Sequence, residues 1–280
     1  MPRLVSIVFV LCLAACASSP PLNGAEQARL AALLPADVLL LGEQHDAPEH
    51  QRIERQAVAW LAARGALAAV ALEMAEQGRA TTGLPRAASE AEVRAALGWH
   101  DVAWPWAAYG PVVMGAVRAG VPVLGANLPA ARLREAMQDE SLDARLPPAA
   151  LAEQRRRIRE GHCHALPEAR IAPMARVQIA RDRAMAATAA GARQPGRTVL
   201  LIAGGGHVHR ALGVPRHLSP DLKSKVLLAS TDTAPEAIES RADGDGLSKG
   251  DQRWLTPPLP PRDHCAAFTL PRRGASPAGQ

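Results

Sequence analysis

The sequence predicts an α/β fold, a mostly parallel sheet flanked by helices with a helical insertion beside it. Three observations predict it. Short, near-continuous apolar runs recur along the chain, as strands buried on both faces require. Stretches carrying helix start and stop signals separate them. Four of the runs end in polar or ionisable residues, and ligands bind at that edge of an open parallel sheet.

The elements follow in order. A tether and a first helix occupy residues 17–34, and the α/β domain covers about 35–256. The first strand is Asp37–Leu41 (DVLLL). Pro48 suits the first turn of a helix that runs to about Arg64, with Gly65 as its stop. The second strand is Ala68–Leu72 (AAVAL). From Ala75 to Leu97, and through much of 130–195, no strand signal appears, so a helical insertion is expected over about 75–195. Helices are expected over Pro111–Ala119, Leu151–Glu160 and Pro173–Ala190. The remaining strands are Val121–Leu124 (VPVL), Thr198–Ala203 (TVLLIA) and Val226–Ala229 (VLLA). The Pro-rich tail 257–280 reads as extended and finally disordered.

Composition narrows the function. A chain of 280 residues that is 48% hydrophobic and 21% charged can bury a substantial core. The net charge is +5, but the basic residues are interspersed with acidic ones rather than gathered in blocks. Nearly all of them are Arg, so a nucleic-acid partner is not expected. At the N-terminus, Arg3 precedes the apolar run Leu4–Leu13, which is too short to span a bilayer. Leu13-Ala14-Ala15-Cys16 then reads as a lipobox that ends a signal segment at residues 1–16 and acylates Cys16. Ala17 after it favours an outer-membrane anchor, facing the periplasm or the surface. That compartment permits a disulfide between Cys163 and Cys265, though the sequence does not say whether the two meet.

The polar strand ends carry the chemistry. The first strand runs into Gly42-Glu43-Gln44-His45, the second into Glu73-Met74, and the third leads to Asn127. The fourth runs into Gly204-Gly205-Gly206-His207. Glu43, His45, Glu73 and His207 are therefore expected in one cleft. His45, His207 and Glu73 would suit a divalent transition metal, with Glu43 as base in a hydrolytic reading. The triple Gly does not continue as GxGxxG, because His209 stands where the third Gly belongs. A second segment, Trp99–Tyr109 (WHDVAWPWAAY), holds four aromatics and the only Tyr, in a chain with five Trp and two Phe. Such concentration suits a flat apolar ligand, and Tyr is an axial ligand of haem iron.

These residues resemble the ChaN-type haem-binding uptake lipoproteins of the Tiki/TraB superfamily. The likeness covers about residues 35–230. It rests on LLLGEQHD (Leu39–Asp46), ALEM (Ala71–Met74), Trp106, Tyr109 and Pro111, GHCHALPE (Gly161–Glu168), MARVQIARDRAMA (Met174–Ala186) and IAGGGHVHRALGVPRHL (Ile202–Leu218). The resemblance implies a lipid-anchored protein of iron acquisition that binds haem between two protomers as a homodimer and hands it on, with an outer-membrane haem receptor as a partner. Its tyrosine ligand would map onto Tyr109. Trp104 and Trp106 would wall the porphyrin, and His162 and His164 would offer a second axial ligand. The wider superfamily also implies metal-dependent hydrolases built on two Gly-x-x-His motifs, here His45 and His207 with Glu43 and Glu73. In the 204–210 segment, Arg210 lacks the Asp that the haem-uptake pattern would place beside it.

Overall fold

The computed structural model describes residues 21–231 and 246–266. The signal segment and Cys16, and the last part of the tail, lie outside the described residues. The described strands are β1 (Val38–Glu43), β2 (Leu67–Glu76), β3 (Val123–Asn127), β4 (Thr198–Gly204), β5 (Ser224–Ser230) and β6 (Gln252–Leu255). They form one sheet in the order β3-β2-β4-β1-β5-β6, with every neighbouring pair parallel. The helices are α1 (Gly24–Ala31), α2 (Pro48–Ala63), α3 (Glu90–Leu97), α4 (Trp106–Ala119), α5 (Leu133–Gln138), α6 (Pro148–Gly161) and α7 (Ile171–Gly191), with short 3-10 turns between some of them. The α/β class is as the sequence predicts.

Alternation along each strand assigns the two faces. Leu39 and Leu41 of β1 and Leu200 and Ile202 of β4 pack into the core shared with α1, α2 and α4. Val38, Leu40, Val199, Leu201 and Ala203 face the other way, towards Met185, Ala186 and Ala189 of α7. Both sets are fully buried, which is why the strands read as unbroken apolar runs. Burial of each such side chain contributes about 1.5–3 kcal/mol.

Three expectations need correction. The stretch 75–97 is only partly helical: β2 continues to Glu76, Ala80 bridges Leu124, and the helix is confined to α3. Together with β3, this divides the supposed insertion at 75–195 into separate pieces. Helix α4 begins at Trp106, not Pro111, because Asp101 Oδ1 accepts the Trp106 N–H at 3.0 Å and caps the earlier turn. Strand β6 has no apolar run to announce it. It is a short edge strand of alternating character (QRWL) in which Trp254 is the buried residue.

Arg210 has its carboxylate after all. It grips Asp251, just before β6, with two hydrogen bonds at 2.5 and 2.6 Å. Cys163 and Cys265 form a disulfide. It ties the turn after α6 to the segment that follows β6, where Arg262 pairs with Asp46 at 3.3 Å. That segment therefore crosses the carboxyl edge beside His45, and three residues of chain, about 10 Å when extended, separate Arg262 from the disulfide.

Candidate functional site

Strand alternation decides where each carboxylate points. Glu43 follows Leu39 and Leu41 in phase, so it enters the α2–α4 side of the sheet. Glu73 falls between Leu72 and Met74 and faces the α7 side. Both are buried, at 4% exposure each. His45 and His207 come over the carboxyl edge from the two Gly-x-x-His corners and join the two sides.

The corners interlock. A Cβ at Gly42 would lie 2.4 Å from Val208 Cγ2, and one at Gly204 would lie 2.9 Å from His45 Nε2. Each motif's glycine thus makes room for a residue of the other motif. β1 and β4 are in register here, with Glu43 opposite Gly204.

A continuous polar chain results. Asp182 Oδ1 accepts His207 Nδ1–H at 2.6 Å, and His207 Nε2 lies 3.4 Å from Glu73. Glu73 Oε2 accepts the Gly204 N–H at 2.7 Å and stands 3.8 Å from His45 Nε2. His45 Nδ1–H donates to Glu43 Oε1 at 2.8 Å. Glu43 also accepts the Tyr109 hydroxyl at 2.7 Å and the Gln51 side-chain N–H at 3.2 Å. Behind Glu43 sits Glu54 of α2, which is fully buried, with no N–H or hydroxyl donor facing either oxygen.

The charges follow from these neighbours. Burial alone would raise Glu73, but the charge and hydrogen bond of His207 bring it down to about 2. Burial opposes charge on His207, yet Glu73 and Asp182 raise it to about 10. Asp182 is pushed up to about 6 by burial, which its partner His207 only partly offsets. Burial works against His45 too, and Glu43 and Glu73 nonetheless raise it. Glu54 is raised well above the carboxylate range, first by burial and then by the adjacent Glu43 charge. A proton on Glu54 is what satisfies that pair, so the neutral carboxyl donates to the Glu43 carboxylate.

The aromatic segment forms one wall of the mouth. Trp104 meets His45 edge-on with ring centroids 4.9 Å apart. Val102, at the tip of the same loop, is 92% exposed. Trp106 does not line this cleft: its indole N–H donates to Glu90 of α3 at 2.9 Å and its ring packs on Trp99. Tyr109 is also differently placed from the sequence expectation. It is 1% exposed and points inward to Glu43, and burial followed by the Glu43 charge raises its pKa. As it stands the phenol supports Glu43 and is not presented to a ligand at the mouth.

His162 and His164 sit in the turn after α6, on the disulfide-linked tip. His162 Nδ1 lies 2.8 Å from the Ile158 carbonyl oxygen, so Nδ1 carries the proton and Nε2 is the basic nitrogen. His164 is exposed, and Cys163 and His164 both adopt left-handed backbone, at φ 55° and 57°.

The structure places Glu43, His45, Glu73 and His207 within one hydrogen-bonded chain, to which it adds Asp182, Gln51 and Glu54, three residues that sequence reasoning missed. All three lie on helices, Asp182 within α7 and Gln51 and Glu54 in the first two turns of α2, where a lone polar residue reads as surface. The signal for Asp182 was its place on the sheet-facing side of α7, between the apolar positions Ile179 and Met185.

The imidazoles and Glu73 converge, although among the described residues no group of three His, Cys, Asp or Glu side chains is spaced to hold a metal ion.

No curated protein matches the chain. A solved structure of ChaN from Campylobacter jejuni, described as showing cofacial haem binding, matches with a TM-score of 0.62 at 23% identity. The alignment covers 74% of this chain and 87% of that one, and it establishes a shared fold. The family model for haem-binding uptake proteins of the Tiki superfamily, ChaN, matches residues 29–218. This chain belongs to the ChaN family.

Proposed function

We propose that the protein binds haem at the mouth of the carboxyl-edge cleft, as a lipid-anchored component of iron acquisition at the cell envelope. The observation that carries the reading is Trp104 set edge-on against a 40% exposed His45, with the apolar Val102 exposed on the same loop, in a chain of this family. A porphyrin face laid on Trp104 is stabilised by about 25 cal/mol per Å² of apolar area covered.

The fit concerns the mouth and not the cleft floor. His45 Nε2 and His207 Nε2 both turn to Glu73, and a porphyrin has no room between them. We place the iron ligand on the disulfide-linked tip, which residues 262–265 connect to Asp46 at the edge beside His45. His162 is the leading donor, because a backbone carbonyl on Nδ1 is the usual arrangement behind a ligating Nε2. His164 is the second. Haem would supply the iron centre, with Trp104 available to one face, while Glu43, held by Tyr109 and Gln51, fixes the His45 ring. A second copy of the chain would cover the outer face in a homodimer.

Haemin titration of the chain from Ala17 onwards tests this. Tyr109→Phe should retain the wild-type absorption spectrum, whereas His162→Ala should change it and Trp104→Ala should weaken binding about tenfold or more. If the Phe variant alone abolishes a ferric tyrosinate spectrum, the iron sits on Tyr109 and the phenol has left Glu43. The anchor is tested separately: Cys16→Ser should move the full chain out of the membrane fraction.

One observation favours a second reading. Both imidazoles are oriented through Nδ1 by a carboxylate, and their Nε2 atoms face a common Glu73, as in metal-dependent hydrolases. A divalent cation there requires both rings to lose a proton, and Glu43 would then serve as base. Saturable zinc or manganese binding that is lost in His207→Ala would support it.

A further inference from the structure

In a groove along α7, three arginines converge from three separate elements. Arg145 ends the 3-10 turn Glu140–Arg145, Arg183 lies on α7, and Arg216 lies in the 3-10 turn Val214–His217. They line one shallow groove of about 560 Å³, floored by alanines that include Ala186 and Ala190. All three arginines are exposed.

Their lack of partners sets them apart. The arginines of α6 all hold carboxylates: Arg155 pairs with Asp143, Arg156 and Arg157 with Glu153, and Arg159 with Glu168. Arg145, Arg183 and Arg216 make no ion pair or hydrogen bond among the described residues. The nearest carboxylate, Asp139, is engaged by the backbone N–H and hydroxyl of Ser141. Among them sits His217, whose Nε2 is buried without a partner. Burial, and then the charges of Arg183, Arg216 and Arg145, lower its pKa to about 4. Positive charge thus exceeds negative here: the Asp139 carboxylate interacts with Arg183 and Arg145 at longer range, and none of the three arginines has an ion-pair contact among the described residues.

We infer that this groove is an anion site for a phosphate group, held by Arg145, Arg183 and Arg216 beside His217. The arrangement fits phosphate better than carboxylate. One guanidinium fork can satisfy a carboxylate, whereas three forks approaching from different elements suit a multiply charged group with oxygens on several sides. The alanine floor leaves space for whatever bears the phosphate. Free phosphate and a lipid headgroup share this chemistry.

The test uses the chain from Ala17 onwards, with inorganic phosphate as one probe and phosphatidylcholine vesicles containing phosphatidate as the other. Phosphate should bind saturably in the presence of 0.1 M chloride (an ionic strength at which unspecific attraction is screened beyond about 10 Å). Arg183→Gln and Arg216→Gln should each weaken binding about tenfold, with unchanged circular dichroism. The ring resonances of His217 should shift on addition of phosphate, and its pKa should climb from about 4. Phosphate binding without vesicle binding identifies a soluble ligand, and binding of both identifies a headgroup. Absence of saturable phosphate binding, or binding indifferent to both Gln variants, overturns the proposal.

Discussion

The two Gly-x-x-His corners are equivalent in sequence and unequal in structure. His207 has a side chain 13% exposed and is gripped by Asp182 and Glu73, while His45 is 40% exposed and rests against Trp104. The cause is what each corner turns into. After β4 the chain folds tightly beneath α7, whose Asp182 closes over the imidazole. After β1 it leads to α2, which offers Gln51 and Glu54 below the ring but leaves its outer side to solvent. One corner is a sealed ion-pair network, and the other is an accessible group on a fixed support. Structural strength should therefore reside in His207, and ligand sensitivity in His45 and the mouth.

The largest effect expected from this difference is on His207. Its removal by His207→Ala takes from the buried carboxylates of Glu73 and Asp182 the cation they share, which should cost about 3–5 kcal/mol. The pH dependence has a definite sign. Glu73, lowered to about 2, contributes stability that is present above about pH 4.5 and lost as the pH falls towards 2. His207, raised to about 10, contributes stability that is present below about pH 6.5 and lost as the pH rises towards 10. Both statements describe one ion pair and are counted once. Denaturant unfolding across pH 3–10 should show a smaller decline between about pH 6.5 and 10 in His207→Ala than in the wild type, because the part due to His207 is gone while that of Glu54 remains. An equal decline in the variant would refute the assignment.

Next comes the contact between the corners. Gly42→Ala places a methyl group 2.4 Å from Val208 Cγ2 and 3.0 Å from Leu228 Cδ1, both packed side chains. Overpacking of this kind costs about 1–3 kcal/mol. Gly204→Ala meets His45 Nε2 instead, the end of a partly exposed ring that can turn aside. It should cost less stability yet alter haemin binding. Should Gly204→Ala prove the more destabilising of the two, His45 is held more firmly than its exposure implies.

A smaller change is expected at His45. With His45→Ala, Glu43 keeps its hydrogen bonds from Tyr109 and Gln51, so the loss should be about 1 kcal/mol. A loss as large as that of His207→Ala, measured in the same unfolding series, would erase the distinction between the corners.

How much of this was legible in the sequence depended on which signal each part left. The five apolar strands were visible because a doubly covered parallel strand has no polar face to interrupt it. Strand β6 was not, since a four-residue edge strand with Gln252 and Arg253 carries half the pattern. The cleft residues at strand ends were found because polar residues there break an apolar run. Asp182 and Glu54 left no such break, because a charged residue within a helix of mixed composition looks like ordinary surface. The orientation of Tyr109 was equally hidden. Only the packing of α4 beside α2 reveals that its hydroxyl reaches Glu43 and not the mouth.

The most selective effect belongs to Glu54. Its carboxyl is raised well above the usual range by burial and by the Glu43 charge, so the folded protein holds a proton that the unfolded chain releases near pH 4.5. Above that pH the folded state binds more protons than the unfolded one, and stability must fall as the pH rises. Glu54→Gln keeps the shape and one donor towards Glu43 but has no proton to lose. The variant should therefore match the wild type at pH 4 and exceed it in stability at pH 8. Unfolding by urea at the two pH values measures the difference directly. His207→Ala, which acts on the other side of the sheet, should show no such gain. A Gln variant whose advantage is the same at both pH values would mean that Glu54 is ionised in the folded protein, and the neutral carboxyl beside Glu43 would have to be abandoned.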